Sequence, residues 1–230
     1  MTRTRPVSIR AVILDMDGLM LDTETPVQRC CQQAAETLGF SLDAEFYERA
    51  LLGRAWPDAD AALVAHFGPG FLLEDFKARF QNVWDRHVAL HGVTLKPGLQ
   101  TFLAMVERFG LQKAVATSTH EKEAEAHLRA AGIRDRFSVV VTGDQIEHGK
   151  PAPDIYLEAA RRLNVPAKEC IALEDSDAGV LAATSAGMTT LMIPDGGRQP
   201  SAEARSRAGC VLPSLREAEE VVSSWLDPGE

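Results

Sequence analysis

Short, solid runs of apolar and β-branched residues alternate with longer amphipathic stretches over much of this sequence. The runs are SIRAVILDM (8–16), KAVATS (113–118), FSVVVTGD (137–144), ECIALED (169–175) and TTLMIP (189–194). Continuous apolar runs of this length suit strands buried on both faces of a sheet. From the second run onward the spacers are helical in period: EKEAEAHLRAAG, PDIYLEAARRLN and SDAGVLAATSAG, each ending near Gly or Asn as a helix should. Strands alternating with helices predict a doubly wound, Rossmann-like α/β domain with a parallel sheet covered on both faces.

One interval breaks this alternation. Residues 23–95 contain no strand-like run, and PVQRCCQQAAETLGF, DAEFYERALLG, PDADAALVAHFG and LEDFKARFQNVWDRHVALHG all read as helix. A single crossover needs only about a dozen residues, so this stretch is expected to be an inserted helical domain. The predicted organisation is a core of residues 1–22 and 96–230 interrupted by a helical cap at 23–95. Lys96, Pro97 and Gly98 are turn residues that lead into the next helix, LQTFLAMVERFG.

Composition then limits the partners. The 230 residues are 45% hydrophobic and 25% charged, enough apolar material for a core. The net charge of −9 disfavours nucleic acid or an anionic membrane as the main partner, since both need clustered Lys and Arg. No apolar run has the length of a signal peptide or a membrane span. The four cysteines include adjacent Cys30 and Cys31, which fit neither a disulfide framework nor a zinc pattern. A cytoplasmic protein is the expectation, with a monomer as the default.

Ligands of open α/β sheets bind at the carboxyl ends of the strands. The first run ends in Asp15 and Asp17, the second in Thr117 and Ser118, and the fourth in Glu174 and Asp175, while Lys150 follows the third. Asp15 and Asp17, two apart, can face the same side. Four acids, a hydroxyl and a lysine at one sheet edge would be costly without a partner, and a divalent cation is the natural one. Two other patterns are set aside. GDQIEHGKP (143–151) has five residues between its glycines and Pro151 where a phosphate loop needs Ser or Thr, and His87 and His91 flank Val88 where a zinc protease needs Glu.

In this order, DMDGLMLDTE (15–24), VATST (115–119), GKPAPDIY (149–156) and LEDSDAG (173–179), the chain resembles the haloacid dehalogenase superfamily of phosphatases and phosphomutases. The resemblance implies Asp15 as nucleophile, Asp17 as acid/base, Thr117 and Lys150 as phosphate-binding groups, with Ser118 beside Thr117 expected to share that role, and LEDSDAG as the metal-binding motif. Mg²⁺ would be held by Asp15, the backbone carbonyl of Asp17 and Asp175, with Glu174 acting through water. Hard oxygen ligands suit Mg²⁺ better than zinc. Charge counting gives −4 from the acids against +2 from Mg²⁺ and +1 from Lys150. That balance favours a protonated Asp17 when substrate arrives, ready to donate to the leaving alkoxide.

The insert resembles the small helical cap of the β-phosphoglucomutase-like subgroup, whose caps close over the site and contact the substrate. The mutases of that group carry a His four residues after the Thr of the first motif, and here that position is Val27. Hydrolysis of a small phosphate monoester therefore leads, with sugar phosphomutase chemistry second. Phosphonate hydrolysis would need a cap lysine, and Lys77 is the cap's only one. Dehalogenation is disfavoured by the second Asp. A receiver-type phospho-acceptor module is disfavoured by length and by the strand carrying the acceptor, and a catalytically dead binding protein by the filled catalytic positions. Cap residues at Leu51, Leu52, Gly53 and Arg54 are candidates for substrate contact, Arg54 through a second anionic or hydroxyl-bearing group.

Overall fold

Residues 8–52, 56–196 and 199–227 are described by a computed structural model. In chain order the elements are β1 (Ala11–Leu14), α1 (Glu24–Thr37), α2 (Ala44–Ala50), α3 (Trp56–Phe67), α4 (Leu73–His91), α5 (Leu99–Arg108), β2 (Gln112–Ala116) and α6 (Glu121–Ala130). They continue with β3 (Val139–Val141), α7 (Asp154–Leu163), β4 (Cys170–Glu174), α8 (Asp177–Ser185), β5 (Thr189–Met192), α9 (Ala202–Arg207), β6 (Cys210–Val211) and α10 (Leu215–Leu226). Among the described residues six strands pair in parallel in the order β3-β2-β1-β4-β5-β6. The chain builds outward from β1 in one direction and from β4 in the other, so the topological switch lies between these two central strands.

Every residue of β1 and β4 is buried, as expected of strands covered on both faces. Ile13, Ala114, Ala116 and Ala172 pack with Ile155, Tyr156 and Ala159 of α7 and with Ala182 and Ala183 of α8 in one apolar cluster. The small alanines let these helices lie close to the sheet. Helix α10 turns Leu215, Ala218, Val221, Val222 and Trp225 inward. Its charged residues occupy the other side, and α5 packs against it. Short caps fix the helix starts: Ser176, Ser201 and Ser214 each accept a backbone N–H of α8, α9 and α10 in turn.

Two compact units divide the chain. One comprises the residues up to Leu21 together with Thr94 onward, and the other is Asp22–Val93. The second unit is four helices around an apolar cluster that includes Ala34, Phe46, Leu63, Phe76, Phe80 and Trp84. Helix α1 runs against α4, and Asp43 caps α2 by accepting from Phe46 N at 2.7 Å. Cys30 and Cys31 are buried here, and burial pushes the Cys31 thiol up to about 12, far from the range of a reactive thiolate. Among the described residues no helix is long and apolar enough to cross a membrane.

Candidate active site

The register of the sheet sets the chemistry side by side. Leu14 is level with Leu173 on β4 and Val115 on β2. The next residue, Asp15, continues the ladder by donating its N–H to the Leu173 carbonyl at 3.0 Å, and Thr117 likewise donates to the Val141 carbonyl. The ends of β1, β2 and β4 therefore stop at one level. Beyond β1 the chain folds back on itself: Met20 and Leu21 donate to the Met16 carbonyl, and Gly18 donates to that of Leu21. Met16, Leu19, Met20 and Leu21 are all buried, which anchors this turn in the core. Gly18 sits at φ +81°, where a side chain would be strained, and a β-carbon there would stand 2.5 Å from Asp175 Oδ2.

Lys150 is the centre of a buried network. Its Nζ donates to Asp15 Oδ1 at 2.5 Å, to Glu174 Oε1 at 2.5 Å and to the Ala116 carbonyl at 3.1 Å. Burial draws the ammonium down, but Asp15 and Glu174 outweigh it and leave Lys150 above the usual lysine range, so it stays charged. Burial pushes the Asp15 carboxyl up to about 8; Lys150 pulls the other way, and the charges of Glu174 and Asp17 add to the rise. A cation held by the same carboxylates would act with Lys150 and lower it.

Glu174 is fully buried, and five donors engage it. Lys150 and the Tyr156 hydroxyl (2.8 Å) share Oε1, while Asp175 N, Ser176 N and Ser176 Oγ share Oε2. Burial and the Glu174 charge hold the Tyr156 phenol well above its ordinary value, so it remains a donor. Gly179 leaves the room that this carboxylate needs, because a β-carbon there would overlap it.

Asp17 lies across from β2. Thr119 Oγ1 donates to Asp17 Oδ2 at 2.7 Å, and Thr117 Oγ1 reaches the same oxygen at 3.5 Å. Thr119 N donates to Thr117 Oγ1 at 3.1 Å, so one residue orients both the hydroxyl and the acid. The loop is tied down by Gly143, whose missing side chain admits the Ser118 carbonyl and whose N–H donates to the Thr119 carbonyl.

One oxygen each from Asp15, Glu174 and Asp175 can lie within 4.8 Å of one another, and all three residues are buried. This donor set fits a hard divalent cation such as Mg²⁺. With both Glu174 oxygens engaged by the protein, Asp15 and Asp175 are the carboxylates suited to direct ligation.

Asp15, Asp17, Thr117, Lys150, Glu174 and Asp175 thus meet at one sheet edge. Ser118 does not join them by its side chain: it is exposed, and its carbonyl faces Gly143. Arg54 and Gly53 lie outside the described residues. Three contributors escaped the sequence reading. Thr119 follows Thr117 at the same i, i+2 spacing that linked Asp15 and Asp17, so that spacing was the available signal. Tyr156 and Ser176 sit inside quoted motifs, but their contacts with Glu174 follow from the fold alone.

A model of the haloacid dehalogenase-like hydrolases matches residues 9–187. The phosphorylated carbohydrates phosphatase of Thermotoga maritima is 35% identical over 182 residues, which cover 78% of this chain and 82% of that protein. The crystal structure of a candidate β-phosphoglucomutase from the same organism has a TM-score of 0.81 and 30% identity, covering 94% of this chain and 99% of its own. CbbY from Rhodobacter sphaeroides, solved in complex with phosphate, has a TM-score of 0.77 and 29% identity, covering 91% and 96%.

Proposed function

The chain belongs to the haloacid dehalogenase-like hydrolases, and from that premise we propose that it is a Mg²⁺-dependent phosphatase of a small phosphate monoester, a sugar phosphate or similar metabolite. The observation that carries this reading is the Asp15 carboxylate, buried at the switch point, gripped by Lys150 and adjacent to Asp175 and Glu174. The name of the Thermotoga maritima relative supports a phosphorylated carbohydrate as the substrate class.

In this scheme Asp15 attacks phosphorus while the bond to the leaving oxygen breaks, and Asp17 gives that oxygen a proton. Asp17 then takes a proton from the water that attacks the aspartyl phosphate, which frees phosphate and restores Asp15. Lys150 and Thr117 hold phosphoryl oxygens, and Ser118 can do so through its backbone N–H. Bound by Asp15, the Asp17 carbonyl and Asp175, with Glu174 behind them, Mg²⁺ would supply positive charge against the repulsion between carboxylate and phosphate. Val27, partly buried, packs against the apolar core of the second unit, and as a valine it leaves the position of the mutase histidine without a base, which favours water as the acceptor. Choice among esters is assigned to the inserted helices, with Arg54 the sequence-based candidate.

The test is phosphate release from a generic aryl phosphate and a panel of phosphorylated metabolites in MgCl₂. Release that stops with EDTA and returns with added MgCl₂ is expected. No hydrolysis across the panel, or hydrolysis indifferent to EDTA, contradicts the proposal. The Asp17 contacts add a finer prediction. Thr119→Val should lower kcat about tenfold with KM within about twofold, because it loosens the acid and leaves phosphate binding intact, and Thr119→Ser should restore the rate. A change confined to KM would remove Thr119 from this role.

A further inference from the structure

The carboxyl end of β5 brings a fifth acid to the same edge. Asp195 follows Met192 by three residues, and its side chain is only 9% exposed. Its Oδ1 accepts from Lys96 Nζ, 99 residues away in sequence, in an ion pair whose lysine is also mostly buried. Its Oδ2 faces the turn after β1: a β-carbon at Gly18 would stand 3.4 Å from it and 2.5 Å from Asp175 Oδ2. Two carboxylates that follow neighbouring strands thus converge on one bare α-carbon.

Lys96 is rooted on that same turn. Its N–H donates to the Met20 carbonyl at 2.9 Å, and Leu95 bridges to Leu21 beside it. The lysine therefore ties Asp195 to the turn that carries Asp17 and Gly18. It also offsets the Asp195 charge, so a carboxylate can approach Asp175 without adding net repulsion to an already acidic edge.

We propose that Asp195, held by Lys96, is a positioning residue of the cation site: an outer carboxylate that accepts hydrogen bonds from water on the ion. This rests on the cation site proposed above. Carboxylates in this outer position typically change metal affinity about 10- to 100-fold when removed.

The test is calorimetric titration of the cation-free protein with MgCl₂, without substrate. Asp195→Asn is expected to weaken Mg²⁺ binding at least about tenfold. Lys96→Met combined with Asp195→Leu replaces both members of the ion pair together by apolar side chains, a change that commonly preserves or raises stability. This double variant should keep its Tm in EDTA and still bind Mg²⁺ at least about tenfold more weakly. A pair that only fastens the fold predicts the reverse, so wild-type affinity in either folded variant overturns the proposal, as does loss of folding in both. Absence of Mg²⁺ binding by the unaltered protein would remove the cation site itself and this proposal with it, a result separable by its occurrence before any substitution is made.

Discussion

Asp15→Asn is expected to lower phosphate release at least about 10⁴-fold, with the protein still folded. Asparagine matches the shape of the carboxylate but offers phosphorus no anionic oxygen, so the first step of the proposed mechanism has no nucleophile. The surroundings favour a clean result. Lys150 keeps its bonds to Glu174 and to the Ala116 carbonyl, and the backbone N–H of residue 15 remains in the ladder with Leu173. Circular dichroism and a thermal melt establish the fold, and single-turnover assays establish the loss. A folded variant retaining a tenth or more of the activity would show that another group attacks phosphorus.

The second large effect concerns a residue with no chemistry. Gly179→Ala would place a methyl group inside the space of the Glu174 carboxylate. Gly179 lies in the first turn of α8, whose start is fixed by Ser176, and Ser176 also donates to Glu174, so helix and carboxylate cannot separate without breaking that shared capping. Glu174 is in turn a partner of Lys150 and Tyr156. Overpacking costs about 1–3 kcal/mol, and disrupting a buried hydrogen-bonded ion pair about 3–5 kcal/mol. A loss of at least about 3 kcal/mol in urea unfolding is expected, together with a fall in kcat as Lys150 loses its anchor. Gly70→Ala, where nothing lies within 4 Å of the added carbon, serves as the control and should stay within about 0.5 kcal/mol. Equal effects of the two substitutions would deny Gly179 this role.

The contrast between these residues explains what could be read from the sequence. Strands β1 to β5 are visible as apolar runs because a strand covered on both faces must be largely apolar. Strand β6 has two half-buried residues, Cys210 and Val211, and owes its existence to pairing with β5, so no run announces it. Helix α10 was half legible: its charges are on the surface, but the inward stripe from Leu215 to Trp225 depends on what packs against it. At the site, Asp15, Asp17, Thr117, Lys150, Glu174 and Asp175 could be found because parallel strands bring their carboxyl ends together. Whether Glu174 meets an ion or a lysine could not be read, since Tyr156 and Ser176 reach it only after α7 and α8 have docked. Lys96 and Asp195 are the extreme case: the lysine looks like a turn residue, the aspartate trails a strand, and only the three-dimensional fold makes them a pair.

The central claim is that Asp15 itself carries the phosphoryl group during turnover. The most direct measurement is to mix enzyme, MgCl₂ and an intact phosphate ester that the enzyme hydrolyses, quench in acid within the first turnover, and map the protein by peptide mass spectrometry. The account predicts one added phosphoryl group on the peptide containing Asp15, sensitive to hydroxylamine as an acyl phosphate should be, and absent in Asp15→Asn. A phosphoryl group on any other residue, or phosphate formation with no labelled enzyme at any quench time, would contradict it.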